Sequence, residues 1–252
     1  MLEGIVCFEG SSMSHTAVVA NALGVPAVMG TGPIRNLTVN CQLIVDGNQG
    51  EVIQSPTGSL LAEYRTLQND QRFLAKRLEK IRELPATSAD GVEVTLYTNT
   101  GLLADMSPGI FNGAQGVGLY RTEIPFMIRT SFPSEEEQVA VYTQVLAAYR
   151  GKPVHMRTLD VGGDKPLPYF PVENEANPAL GWRGIRFTLD NSQLLMTQVR
   201  AMIRAGSEPG NLRILLPMVS STGELDSFRE LLDDALTQLR AEGFEVKRPP
   251  LG

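Results

Sequence analysis

The sequence predicts an α/β protein, in which a small N-terminal unit precedes a larger domain built on a parallel sheet. The main observation is that strand-like apolar segments alternate with helix-like amphipathic segments along the chain. The length of 252 residues is enough for one or two domains. Hydrophobic residues at 42% and charged residues at 20% are typical of an ordinary globular protein.

Charge and cysteine usage exclude several functional classes. A formal net charge of -6 argues against a nucleic-acid scaffold, since phosphate-backbone binding needs a concentrated basic surface. Cys7 and Cys41 lack the dense spacing of a disulfide framework, which fits a reducing cytoplasm. No segment reaches the ~20 apolar residues that span a bilayer, so we expect a cytoplasmic protein without membrane insertion.

Residues 1–55 predict the small α/β unit. The pattern gives a strand from Gly4 to Phe8, a glycine-serine turn and a helix from His15 to Leu23. Further strands are predicted at 26–29, 42–46 and 51–54. The first strand begins almost at Met1, so we expect sequence upstream of this chain.

Residues 56–88 predict a helical linker. Apolar positions from Leu60 to Ile81 recur mostly three, four or seven residues apart among charged residues, and Pro85 ends the pattern. Amphipathicity leaves two interpretations open: an ordinary helix packed on its own domain, or a mechanical connector between two domains.

Residues 89–252 predict alternating strands and helices. Strands are expected at 93–99, 116–119, 154–160 and 213–219, and helices at 134–149, 192–205 and 222–241. Such alternation indicates a parallel sheet covered by helices, either doubly wound or closed as a barrel. Four units are half of an eight-unit barrel. The final residues resemble the approach to another strand, so we expect a truncated domain.

The segment GSSMSHTAVVANALGVPAVMG, residues 10–30, places His15 after three serines and before small residues. A helix that starts near Ser14 directs free amide groups and the positive end of its dipole towards an anion such as a phosphoryl group. A histidine of near-neutral pKa offers a nucleophilic nitrogen. The alternative is that His15 only caps a helix.

Two arginines lie within or directly after predicted strands. QGVGLYRTEIPFM places Arg121 and Glu123 after one strand, and VHMRTLDVGGDK places Arg157 in the next, with Asp160 at its end. Converging guanidinium groups suit a substrate that bears phosphate and carboxylate, such as phosphoenolpyruvate. The alternative is a structural arginine–aspartate pair that ties the strands together.

These motifs resemble those of one enzyme family. SMSHTAVVANALGVPAVMG is similar to the phosphohistidine signature of phosphoenolpyruvate-utilising enzymes. GVGLYRTE, RTLDVGGDK and NPALGWRGIR are similar to three successive motifs of the enzyme I barrel in the phosphotransferase system. The segments GLYRTEIPFM and ANALGVPAVMG look closer to the nitrogen-regulatory branch of enzyme I than to its sugar-transport branch. The resemblance implies part of a phosphohistidine swivelling domain, a helical linker, and the first half of a (β/α)8 phosphoenolpyruvate-binding barrel.

The resemblance also implies the site residues. His15 carries the phosphoryl group, the arginines that match Arg121 and Arg157 contact the substrate phosphate, and Arg183 lies at the same site. Lys165 adds positive charge or has an ordinary surface role. Family members bind Mg²⁺ through a glutamate and an aspartate and protonate the product with a cysteine, all beyond residue 252. We therefore expect no metal ligands in this chain, and no full activity from this segment alone.

The implied reaction transfers a phosphoryl group from phosphoenolpyruvate to His15, and then to a histidine of a small phosphocarrier protein. A homodimer is expected for the full-length enzyme. One alternative is a relative of pyruvate phosphate dikinase or phosphoenolpyruvate synthase, which requires a nucleotide-binding domain. Another is a regulatory module that binds a metabolite or partner without catalysis.

Overall fold

The computed structural model describes residues 2–10, 14, 16–17, 20, 24–34, 37–103, 106–127, 129–162, 167, 169–170 and 175–252. The chain divides into two compact units, Met1–Leu84 and Pro85–Gly252. Each unit has its own strands, and the strands that carry Arg121 and Arg157 belong to the second.

The first unit contains two strand pairs. Strands β1 (Ile5–Cys7) and β2 (Ala27–Met29) pair in parallel, whereas β3 (Leu43–Asp46) and β4 (Glu51–Gln54) form an antiparallel hairpin. All four strands lie within the predicted segments. The hairpin turn is stabilised by its first side chain, because the Oδ1 atom of Asp46 accepts hydrogen bonds from the backbone amides of Asn48 and Gln49 at 2.9 and 3.0 Å.

Helix α1 (Gly58–Glu79) is the predicted helical segment after the hairpin. Thr57 caps its first turn, since its hydroxyl accepts a hydrogen bond from the amide of Leu60. The phenol of Tyr64 donates to Asp46 at 3.1 Å and joins the helix to the hairpin. None of the residues in α1 is fully buried, and Phe73 is 64% exposed.

The second unit is a four-stranded parallel sheet. Its strands lie in sequence order, β5 (Thr98–Thr100), β6 (Val117–Arg121), β7 (Val154–Arg157) and β8 (Leu212–Leu215). Within the described part of the chain the sheet is not closed into a barrel. Residues 250–252 continue it, because Leu251 bridges in parallel to the middle of β8.

Six helices accompany this sheet among the described residues of the second unit. They are α2 (Met106–Phe111), α3 (Glu123–Met127), α4 (Glu135–Ala148), α5 (Ile185–Asp190), α6 (Ser192–Gly206) and α7 (Thr222–Ala241). The sequence pattern predicted α4, α6 and α7 but missed the three short helices. Capping boxes at Ser134 and Ser221 start α4 and α7 and satisfy amides that would otherwise lack partners.

The main hydrophobic core lies between the sheet and the helices α4, α6 and α7. In β7, Val154 and Met156 are fully buried against the helices, whereas the alternate residues, His155 and Arg157, are only partly buried. This alternation is the period-2 pattern of a strand with one helix-covered face. Each of the three helices contributes a large buried side chain to this core, namely Tyr142 from α4, Leu195 from α6 and Phe228 from α7. The opposite face of β7 therefore carries His155 and Arg157.

Candidate functional site

Arg121 and Arg157 end neighbouring strands. They are the last residues of β6 and β7, and they are register partners in the parallel ladder. Neighbouring strands lie about 4.8 Å apart, so the two side chains leave the sheet beside each other at its carboxyl edge. Both are only partly exposed. Ligand sites of parallel α/β sheets form at this edge.

One extra residue in β6 produces this alignment. The register pairs Val117 with Val154 but Tyr120 with Met156, so that three steps along β6 match two along β7. A β-bulge of this kind shifts the alternation of side chains by one residue. Tyr120 is therefore buried with Val117 in the helix-facing core, and Arg121 falls on the opposite face.

The glycines of the GVG segment allow this bulged strand to pack closely. A Cβ atom on Gly116 would lie 2.5 Å from the carbonyl oxygen of Pro153, and one on Gly118 would lie 2.9 Å from the Cβ atom of Tyr97. Neither distance is compatible with a side chain. Glycine is thus required at both positions by the close backbone packing before Arg121.

Arg183 joins the same edge from the loop before α5. Its Nε and Nη2 atoms donate to Asp160 Oδ1 at 3.2 and 3.1 Å, and Nη2 also donates to Oδ2 at 3.0 Å. Residue 183 pairs with Gly162 in an isolated bridge, where a Cβ atom would lie 2.3 Å from the carbonyl oxygen of Trp182. Because residue 162 is a glycine, the loop that carries Arg183 can pack against the backbone that follows β7.

Two buried carboxylates balance part of the positive charge. Arg157 Nη2 lies 2.5 Å from Glu123 Oε1 and 3.2 Å from Asp160 Oδ2, the same oxygen that Arg183 contacts. The side chains of Glu123 and Asp160 are only 2% and 4% exposed. The arginine–aspartate pairing foreseen as a structural alternative is therefore present, together with a second acid.

The charge balance of this cluster favours an anion. Three guanidinium groups and two carboxylates leave one positive charge in excess among these five side chains. The Nε atoms of Arg121 and Arg157 are buried and have no hydrogen-bond partner within the described ranges. Guanidinium groups bind phosphate and carboxylate with paired hydrogen bonds. The edge can thus hold a small molecule that carries such groups.

A buried glutamine supports these strand ends, and the sequence interpretation did not single it out. Gln198 in α6 is fully buried and contacts the backbone after β7 and the side chain of Thr122 after β6. The sequence did contain a signal for it. Gln198 lies on the apolar stripe formed by Leu195, Val199 and Met202, where a polar residue is unexpected.

The predicted phosphoryl carrier, His15, lies outside the described residues, as does Lys165. Next to His15, the hydroxyl of Ser14 accepts a hydrogen bond from the amide of Ala17 at 3.3 Å. This is the contact of an N-cap residue, and Thr16, Ala17 and Ala20 have helical backbone.

The described residues do not by themselves form a magnesium site. No group of three potential ligands among histidine, cysteine, aspartate and glutamate is close enough to hold a metal ion within the ranges that the structure describes. Both carboxylates at the strand ends are bound by guanidinium groups. In the same part of the chain, no helix is long and apolar enough to cross a membrane.

Comparison with known proteins identifies the family. Residues 75–250 match the PEP-binding domain of PEP-utilising enzymes, and residues 1–50 match the mobile domain of PEP-utilising enzymes. The whole chain is 44% identical to a protein of Escherichia coli (strain K12) named "Phosphoenolpyruvate-dependent phosphotransferase system", of which it covers 34%. It is 42% identical over 246 residues to a phosphoenolpyruvate-protein phosphotransferase of Listeria innocua, of which it covers 43%.

A third relative, the phosphoenolpyruvate-protein phosphotransferase of Staphylococcus carnosus, is 40% identical over 97% of this chain and 43% of its own length. The chain thus spans between about a third and less than half of these relatives. The first family match alone covers most of the 252 residues, including all three arginines of the strand-end cluster. The chain therefore belongs to the family of PEP-utilising enzymes.

Proposed function

We propose that this chain is the part of an enzyme I of the phosphotransferase system that binds phosphoenolpyruvate and carries its phosphoryl group on His15. In this proposal Arg121, Arg157 and Arg183 hold the substrate. The phosphoryl group then passes from His15 to a histidine of a small phosphocarrier protein. Relatives that share 40–44% identity and are named for this reaction or system support the assignment.

The observation that carries the proposal is the register of the two strand-end arginines. Arg121 and Arg157 are ladder partners at the carboxyl edge, and Arg183 shares a carboxylate with Arg157. Phosphoenolpyruvate carries a phosphate and a carboxylate a few bonds apart. Neighbouring guanidinium groups with an excess positive charge match both groups, because each can form paired charge-assisted hydrogen bonds.

The arginines contribute by positioning the substrate and stabilising its charge. In the transfer, a bond forms between a His15 ring nitrogen and phosphorus, and the bond from phosphorus to the enol oxygen breaks. The leaving group is the enolate of pyruvate, which takes up a proton. Guanidinium groups fixed by Glu123 and Asp160 need little reorganisation as negative charge moves to the enolate.

The remaining parts of the proposal concern the protein as a whole. We assign residues 1–55 to the phosphohistidine domain, 56–88 to a connector and 89–252 to the first half of a phosphoenolpyruvate-binding barrel. The sequential parallel strand order and the start of a fifth strand at Leu251 support the barrel. The absence of any buried residue in the described helix α1 supports a connector over a helix packed on its own unit.

By resemblance we also propose the nitrogen-regulatory branch, a homodimer, a cytoplasmic location and dependence on Mg²⁺. The metal would need ligands other than the described residues, and we assign it no step. The names of the relatives favour a protein phosphotransferase over a pyruvate phosphate dikinase or phosphoenolpyruvate synthase. The buried arginine–carboxylate pairs are the one observation that suits a non-catalytic module, since such pairs also occur as structural elements.

Labelling with phosphoenolpyruvate tests the proposal. The full-length gene product that carries these residues is incubated with phosphoenolpyruvate labelled in the phosphoryl group and with Mg²⁺. Acid-labile, base-stable label is then located by peptide mapping. We expect label on the peptide with His15 and none in His15→Ala.

His155 provides the matched control, because the chain contains only two histidines. Its Nδ1 atom lies 2.8 Å from the carbonyl oxygen of Val117, where it donates a hydrogen bond, and its ring lies against Tyr97. We expect His155→Gln to be labelled like the wild type. A folded wild type that takes up no label would refute the transferase and favour the non-catalytic module.

A further inference from the structure

We propose that Gln198 and Thr122 are positioning residues that hold the two strand-end arginines in register from behind the sheet. The inference rests on the proposed function, because it assumes that Arg121 and Arg157 bind phosphoenolpyruvate. Neither Gln198 nor Thr122 is exposed to solvent, since both are fully buried. They therefore act on a ligand only through the arginines.

Gln198 connects α6 to both strand ends. Its Oε1 atom accepts a hydrogen bond from the amide of Leu159 at 2.8 Å, two residues after Arg157. Its Nε2 atom donates to Thr122 Oγ1 at 3.2 Å, one residue after Arg121. One side-chain amide thus contacts the backbone two residues after Arg157 and the side chain of the residue after Arg121.

Thr122 links the two strands directly. Its hydroxyl donates a hydrogen bond to the carbonyl oxygen of Arg157 at 2.7 Å. The last register pair of the β6–β7 ladder is Arg121 with Arg157, so this bond continues the connection one residue beyond the ladder. A hydroxyl at position 122 therefore keeps the two arginine-bearing backbones together where the ladder ends.

The orientation of this network is determined by its donors and acceptors. The second Nε2 hydrogen of Gln198 is donated to the phenol oxygen of Tyr142 at 3.2 Å, and that phenol donates to Gln138 Oε1 at 3.1 Å. The side-chain Nε2 atom of Gln138 donates a hydrogen bond to the carbonyl oxygen of Pro133 at 3.0 Å. Because the backbone amide of Leu159 is a donor, the side-chain carbonyl of Gln198 faces it. The side-chain NH2 group of Gln198 then faces Thr122 and Tyr142.

This network is positioned differently from other buried polar contacts of the sheet. Asn211 precedes β8 at the opposite, amino-terminal edge, and its Nδ2 atom donates to the carbonyl oxygens of Leu146, Tyr149 and Lys152 at 2.8–3.1 Å. It too ties a strand to its neighbours through one amide. Its contacts do not involve the arginine-bearing strand ends, so Asn211 is the matched control for a purely structural role.

The test separates substrate binding from folding. The rate of autophosphorylation by labelled phosphoenolpyruvate is measured against its concentration in the full-length protein, giving a half-saturating concentration and a maximal labelled fraction. The variants are Gln198→Leu, Thr122→Val, Thr122→Ser and Asn211→Ala, and each unfolding midpoint is recorded. A lower folded fraction reduces the amount of label but leaves the half-saturating concentration of the folded molecules unchanged.

Displaced arginines should weaken substrate binding. We expect Gln198→Leu and Thr122→Val to raise the half-saturating concentration between about three- and tenfold, the factor that corresponds to losing one hydrogen bond. Thr122→Ser keeps the hydroxyl and should stay within about twofold of the wild type. Asn211→Ala should lower the unfolding midpoint without changing the half-saturating concentration.

Two results would overturn the inference: one contradicts only the positioning role, and the other contradicts the proposed function as well. If the wild type is labelled but Thr122→Val matches Thr122→Ser in half-saturating concentration, the network is structural only. Thr122→Val is nearly isosteric, so this comparison remains decisive even if Gln198→Leu fails to fold. If the folded wild type takes up no label, the proposed function itself fails, and the inference fails with it.

Discussion

The second unit contains two clusters of arginines and carboxylates, one at the strand ends and one on the helices. The strand-end cluster comprises Arg121, Arg157, Arg183, Glu123 and Asp160. The helix cluster comprises Arg200, Arg204, Glu135, Glu136 and Glu242. The ion-pair distances are similar, 2.5–3.2 Å and 2.6–2.8 Å, and the arginine side chains that form them are 10–15% exposed in both.

The two clusters differ in charge balance and in the burial of their acids. The helix cluster has two arginines and three glutamates, whereas the strand-end cluster has three arginines and two acids. Glu136 is 74% exposed, whereas Glu123 and Asp160 are at most 4% exposed. Arginine pairing by itself therefore does not distinguish the proposed substrate site from the helix cluster. The excess of positive charge among its five named side chains, at the carboxyl edge of parallel strands, does distinguish it.

The largest expected effect is on phosphoryl uptake, which should distinguish the strand-end cluster from the helix cluster. Arg157→Ala should reduce phosphoryl uptake from phosphoenolpyruvate by about a hundredfold or more, because it removes a charged donor to the substrate and an ion-pair partner that the buried Glu123 and Asp160 share. The matched variant Arg200→Ala removes an arginine of similar exposure and should keep uptake within about twofold. Initial labelling rates of the folded proteins check this.

Arg157→Lys sharpens the same comparison. It keeps the charge but loses the planar fork that contacts Glu123 and Asp160 together, so uptake should remain well below that of the wild type. Equal losses of uptake in Arg157→Ala and Arg200→Ala would show that the strand-end cluster has no special role in binding.

A smaller effect should appear in stability. Asp160→Asn removes the carboxylate charge that Arg157 and Arg183 share, and it should lower the free energy of unfolding by about 3 kcal/mol. Glu136→Gln, on the exposed side of the helix cluster, should change it by less than about 0.5 kcal/mol. Denaturant unfolding of the two variants measures the difference, and similar values for both would contradict it.

The smallest effect concerns acid. Burial acts to raise the pKa of Glu135, but the hydrogen bonds and charges of Arg200 and Arg204 outweigh it and lower the pKa below its ordinary value of 4.5. The carboxylate therefore stabilises the fold above about pH 4.5, and this stabilisation is lost as pH falls through the folded-state pKa. In Glu135→Gln the unfolding temperature should fall less steeply in this acid range than in the wild type. The corresponding difference in the free energy of unfolding should be below about 1 kcal/mol.

Glu208→Gln is the control for the acid experiment, because within the described residues Glu208 forms an ion pair only with Arg150 and its side chain is 72% exposed. Its unfolding temperature should fall with acid as in the wild type. If Glu135→Gln changed phosphoryl uptake at neutral pH but left the pH dependence of the unfolding temperature unchanged, the interpretation of the helix cluster as a structural element would be wrong.

Much of the fold was predictable from local pattern. The strands β6, β7 and β8 and the helices α4, α6 and α7 follow from hydrophobic periodicity, and Arg121 and Arg157 lie after and within strand-like segments of the sequence. Short helices such as Glu123–Met127 and Ile185–Asp190 were missed, because five or six residues are too few to show a helical period. Strand limits were also too long: the predicted segment 154–160 ends as a strand at Arg157.

The first predicted strand of the larger domain, at 93–99, lies instead at Thr98–Thr100. Strand-like residues do not form a strand unless a neighbour supplies the ladder, and here β6 pairs only with the end of that segment. The same limitation explains the β-bulge at Gly118. The glycine is visible in the sequence, but the extra residue that it accommodates exists only relative to the strands on either side.

The sequence by itself determined the α/β class and the family motifs, and it pointed to Arg121, Arg157 and Arg183, because these depend on periodicity and on residue order. Only the tertiary structure decided that Arg157 and Arg183 share Asp160, that Glu123 completes the cluster, and that Gln198 supports both strand ends. Residues 157 and 183, or 122 and 198, are brought together by packing of helices and strands far apart in the chain. Local pattern contains no information on such contacts, whose energies depend on burial and geometry.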